Sequence, residues 1–138
     1  MKGRMLCLCV VTALFALGVN AQTISYRLAA DVPFAFMAGP TQLPAGQYYI
    51  DTLSPAVVRL ATTDRSAAAM LIVNGATRVS SERQGKLVFH KYGDRYFLAN
   101  VWAPGASDGI VVRPSALERE LIAGVKDPET RVVMVRRQ

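Results

Sequence analysis

The chain has 138 residues, 16 Lys and Arg against 10 Asp and Glu for a net charge of +6, one histidine and two cysteines. The cysteines sit at positions 7 and 9, so residues 22–138 hold one imidazole and no thiol. That inventory excludes zinc or iron centres built from imidazole and thiolate within one chain. It also excludes a disulfide there.

Lys2 and Arg4 precede an uncharged run, Met5 to Val19, of 15 residues. The run is shorter than the ~18–20 residues that span a bilayer and suits the apolar region of a secretory signal. Val19-Asn20-Ala21 then places small or modest residues where signal peptidase reads them. Residues 1–21 are therefore expected to be a signal peptide cleaved between Ala21 and Gln22. The remainder would be exported to the periplasm, cell envelope or medium, with no transmembrane span after processing. Of 138 residues, 117 would remain, with a net charge of +4 once Lys2 and Arg4 are gone. A chain of that length can bury one core, so residues 22–138 are expected to form a single domain.

Short β-branched and aromatic runs separated by turn residues predict a mainly β domain, a single antiparallel barrel or sandwich of about seven to ten strands. Residues 24–37 form a first extended stretch, with Pro33 holding Val32 extended, until Gly39-Pro40 breaks it. Leu43-Pro44-Ala45-Gly46 suits a turn before a strand from Gln47 to Leu53. Ser54-Pro55 turns the chain and Val57 to Ala61 pairs back. Ala67 to Val73 looks buried, and Asn74-Gly75 is either a hairpin turn or a bulge in one long strand.

Lys86 to Trp102 is the clearest unit. A Gly93-Asp94 turn pairs Tyr92 with Arg95, His90 with Phe97 and Phe89 with Leu98. One face then carries Leu87, Phe89, Tyr96, Leu98 and Trp102, and the other Val88, His90, Tyr92, Phe97 and Val101. Both are largely apolar, so this hairpin should be covered on both sides. A strand at Ile110 to Val112 precedes the one convincing helix, from about Ala116 to Ala123. Ser115 and Glu118 form a capping box, and Leu117, Leu121 and Ile122 an apolar face meant for the sheet. Arg131 to Arg136 is a final strand.

Val32-Pro33-Phe34-Ala35-Phe36, Leu43-Pro44-Ala45-Gly46-Gln47-Tyr48, the segment Leu87 to Leu98 with Trp102, and Ser115 to Leu121 together resemble the small secreted proteins of unknown function that abound in acidobacterial genomes. The resemblance covers most of residues 30–122. It implies one exported β-rich domain and carries no activity.

Chemistry-bearing motifs are few: no Gly-rich phosphate loop, no Gly-x-Ser-x-Gly and no His-Glu-x-x-His. A catalytic triad could use only His90, with Ser107 and Asp108 or Asp94 as candidates, and Asp94 is too far along the strand to orient the ring. His90 is expected to be structural, and no catalytic residue, metal ligand or cofactor is assigned. His90, Tyr92 and Arg95 are the candidate ligand-binding residues. Lys91 and Arg95, with Arg131, Arg136 and Arg137, are a candidate patch for an envelope polyanion, set against simple solubility. Export argues against nucleic acid. The expected role is a non-catalytic envelope or extracellular module that binds a polyanion, an apolar small ligand or a protein partner. The alternative is a small secreted hydrolase using carboxylates or His90.

Overall fold

The computed structural model describes residues 27–78, 84–125 and 127–138. The expected signal peptide and its Ala21–Gln22 junction lie outside them. Ten strands and one helix are formed there: β1 (Arg27–Val32), β2 (Phe36–Ala38), β3 (Thr41–Leu43), β4 (Gly46–Ser54), β5 (Val57–Thr62), β6 (Ala68–Arg78), β7 (Lys86–Tyr92), β8 (Arg95–Trp102), β9 (Asp108–Val112), α1 (Ala116–Gly124) and β10 (Glu129–Arg137).

Eight strands close an antiparallel barrel in the order β8-β7-β10-β1-β4-β5-β6-β9, and β9 pairs back onto β8. Of the two architectures expected, the barrel is the one observed. Closure leaves no open sheet edge around the ring. The last strand, β10, is wedged between β1 and β7 and is antiparallel to both.

Strand β9 is short and pairs with β8 only at Asn100 and Val101. The β2–β3 hairpin runs beside the N-terminal half of β8, in parallel at Met37 and Phe97. Its turn, with Gly39 at φ +58°, approaches Leu71 of β6. A Cβ at Gly39 would sit 3.2 Å from the Leu71 side chain. Phe36, Ala38 and Leu43 of this hairpin are buried in the barrel core.

Alternation fills the interior. Leu28, Ile50, Leu60 and Ala69 stand opposite one another across β1, β4, β5 and β6, and all four point into the core. Phe36 sits edge-on to both Tyr48 and Phe89 at 5.3 and 5.1 Å, so aromatic rings occupy the centre. The Tyr48 hydroxyl donates to the Pro44 carbonyl, which ties strand β4 to the turn before it.

The β7–β8 hairpin has the expected turn and pairs, Tyr92 with Arg95, His90 with Phe97 and Phe89 with Leu98. Beyond that point the expectation fails. Val88 faces Asn100, so Ala99 is an extra residue bulged out of register. A one-residue insertion swaps the faces of everything after it. Val101 therefore enters the core, and Trp102 is turned to the other face. Its indole lies across Gly109, where a Cβ would come within 2.3 Å of the ring. Asn74-Gly75 is likewise a bulge, not a turn, since β6 runs through it with a register shift against β9.

Helix α1 starts as expected, with the Ser115 hydroxyl accepting from the Glu118 backbone N–H at 3.2 Å. Its packing face is different. Glu118 is the buried residue of the helix, while Leu117 and Leu121 are only half-buried and Ile122 is exposed. The Glu118 carboxylate turns toward His90 instead of completing the capping box.

Candidate functional site

A hollow of about 480 Å³ lies on the outer face of β1, β4 and β5. It follows from register. Arg27 faces Asp51, Asp51 faces Arg59, and Arg59 faces Met70 across four successive strands, one residue out of step with the inward Leu28–Ile50–Leu60–Ala69 row. Period-2 alternation therefore puts this charged row outside. The adjoining outward row is Tyr49, Ala61 and Ala68, and the two alanines leave the depression that Arg27, Arg59 and Arg65 surround.

Asp51 holds two of the three arginines. Its Oδ1 accepts from Arg27 Nε at 3.1 Å and its Oδ2 from Arg59 Nη2 at 2.6 Å. Burial pushes the Asp51 carboxyl up, but the hydrogen bonds and charges of Arg59 and Arg27 outweigh it and hold the group below its usual range. Arg59 Nε is buried and makes no hydrogen bond among the described residues. The Arg27 guanidinium also stands 5.5 Å from the centre of the Tyr49 ring.

Arg65 reaches the same hollow from the β5–β6 loop at φ +60°, the left-handed region that a long side chain rarely adopts. A dense local network holds it there. Thr62 N–H donates to Ala67 O at 2.9 Å, Arg65 N–H to Thr62 O at 2.9 Å, and Ala67 N–H to Thr62 Oγ1 at 3.0 Å. Ser66 donates to Asp64 Oδ1 through its N–H and its hydroxyl at 3.0 and 2.8 Å. Hydrogen bonds from Thr62 and Ser66 lower the Asp64 pKa to about 2. One carboxylate, Asp51, thus faces three guanidiniums in the hollow. Its field suits an anion.

The candidates named from sequence are divided. His90 and Tyr92 share a second hollow of about 240 Å³ beneath α1, with Asn100, Glu118 and Ile122. The His90 Nδ1 lies 3.8 Å from Glu118 Oε1, too long for a hydrogen bond, and the histidine side chain is 35 % exposed. Its ring makes no hydrogen bond among the described residues. Burial raises the Tyr92 pKa, and the Glu118 charge adds to it. No serine or aspartate lines this hollow, so Ser107, Asp108 and Asp94 supply no triad to it. Arg95 lies elsewhere, with Asp94, Tyr96 and Leu117 in a third hollow.

The expected basic patch is largely engaged. Glu129 takes Arg131 at 2.8 Å and Lys91 at 3.6 Å, and Arg137 donates to Pro104 O. The arginines that converge are others, which no sequence spacing singled out. No protein-family model matches the chain, and no curated protein and no solved structure is significantly similar to it.

Proposed function

We propose that this protein is an exported, non-catalytic binding module of the cell envelope or extracellular space, and that it takes an acidic group in the hollow between Arg27, Arg59 and Arg65. The observation that carries the reading is the three-to-one ratio of guanidinium to carboxylate around a preformed depression. Guanidinium forks match carboxylate and phosphate geometry, and here Asp51 prearranges two of them. The strained Arg65 supports the same reading, because strain held by a braced loop is a common mark of a binding site. The filled barrel interior gives no support to an apolar ligand held inside.

Titration calorimetry with a galacturonate oligosaccharide, with inorganic phosphate and with a neutral dextran tests the proposal. Binding of an acidic probe, lost in Arg65→Asn with the melting temperature kept, is the expected result. Equal response to neutral and acidic probes would sink it. Export is checked on material recovered from a bacterial host, which should begin at Gln22. The hydrolase alternative keeps one supporting feature, the approach of Glu118 to His90, but no serine and no second carboxylate lines that hollow.

A further inference from the structure

Beside the arginine hollow, β6 projects Met70 and Ile72 outward from one face, 67 % and 62 % exposed. Met70 stands opposite Arg59, and Ile72 adjoins Arg113, whose N–H donates to the Ile72 carbonyl at 3.4 Å. Together with Pro40, Ala116 and Arg119 they line a groove of about 330 Å³ between β6 and the start of α1. No aspartate or glutamate lines it. Arg113 and Arg119 have no carboxylate within ion-pair distance among the described residues.

We infer that this face docks the protein on an anionic lipid bilayer, with Met70 and Ile72 entering the acyl boundary and Arg113 and Arg119 pairing with headgroup phosphates. Two exposed apolar side chains flanked by cations that have no carboxylate partner among the described residues match the layered chemistry of that interface. A guanidinium offers several donors to phosphate oxygens and is weakly hydrated, so it tolerates the boundary. A second copy of the chain fits poorly, because self-pairing would bring these uncompensated arginines together. Protein hot spots favour aromatic anchors in tight pockets, and none lines this groove. The surface adjoins the proposed ligand hollow through the Arg59–Met70 pair but does not depend on that reading.

The test is co-sedimentation of protein recovered after export, its N-terminus verified by mass, with vesicles of phosphatidylcholine alone or mixed equally with phosphatidylglycerol. Binding to the mixed vesicles, at least tenfold stronger than to neutral ones, is expected. Met70→Ser/Ile72→Ser and Arg113→Gln/Arg119→Gln should each reduce it at least fivefold. These residues are on the surface, so the melting temperature should hold. Equal binding to both vesicles, or retention of binding by both double variants, overturns the inference. So does a dimer in sedimentation equilibrium that Met70→Ser/Ile72→Ser dissolves without changing vesicle binding.

Discussion

Glu118 presents its carboxylate, 7 % exposed, to the Nδ1 edge of His90 across 3.8 Å, and this approach is what sits at the seam between α1 and the barrel. A buried carboxylate that only approaches an imidazole at 3.8 Å gains little and costs desolvation. Glu118→Leu should therefore keep the Ser115 cap, which uses only the backbone N–H, and raise stability at neutral pH by about 1–2 kcal/mol. Urea denaturation measures it. A clear loss of stability would show that the carboxylate holds the helix down.

Gly109→Ala should destabilise the barrel by about 1–3 kcal/mol, the range for overpacking a filled site. The new methyl would meet the Trp102 indole at 2.3 Å, and the ring must move. Quenching or a shift of fluorescence from the sole tryptophan should accompany the loss. Unchanged stability and emission would place the indole elsewhere.

Asp51→Asn removes the negative charge between Arg27 and Arg59 and one of the two oxygens that accept from them, and about 1–2 kcal/mol should be lost at pH 7 for so partly exposed a cluster. Both Asp51 and Asp64 have folded-state pKa values below the ordinary one, Asp64 at about 2. Their contribution is therefore fully present above about pH 4 to 5 and is lost as pH falls through the depressed values. The gap between wild type and Asp51→Asn should close along that descent. Melting curves from pH 6 to 2 give the answer; a gap that widened in acid would contradict the pairing.

Arg65→Gly should raise stability by about 1 kcal/mol or less, since relief of the left-handed backbone is partly offset by the greater freedom of glycine when unfolded. The same change should weaken binding of an acidic probe. Gain of stability with loss of binding is the signature of a residue kept for its ligand. A loss of stability would mean that the φ of +60° carries no strain.

The β7–β8 turn and its first three pairs were legible because Gly93-Asp94 imposes its own geometry on the residues next to it. The Ala99 bulge was not. No glycine or proline marks it, and a hairpin apolar on both faces looks the same in either register. At Asn74-Gly75 a signal existed but was shared by turn and bulge. The cap of α1 was legible through Ser115, yet its buried side was misassigned, since a glutamate at that position is ordinarily read as part of the cap. His90 and Tyr92 were rightly placed on one face. Arg27, Asp51 and Arg59 were out of reach, because only the lateral order of β1, β4 and β5 brings them into one row. Arg65 carries no local pattern that announces a left-handed backbone.

Strand β10 has a kinetic consequence. It is the last of the ten strands to emerge during synthesis, and it supplies neighbours to both β1 and β7. Until residues 129–137 are available, the ring is an open sheet with two unsatisfied edges, and β1 must wait roughly a hundred residues for its partner. Pairing over such a span is slow. The newly made chain therefore stays unclosed until then, and cutting it before Glu129 should leave a sticky sheet with no barrel to finish.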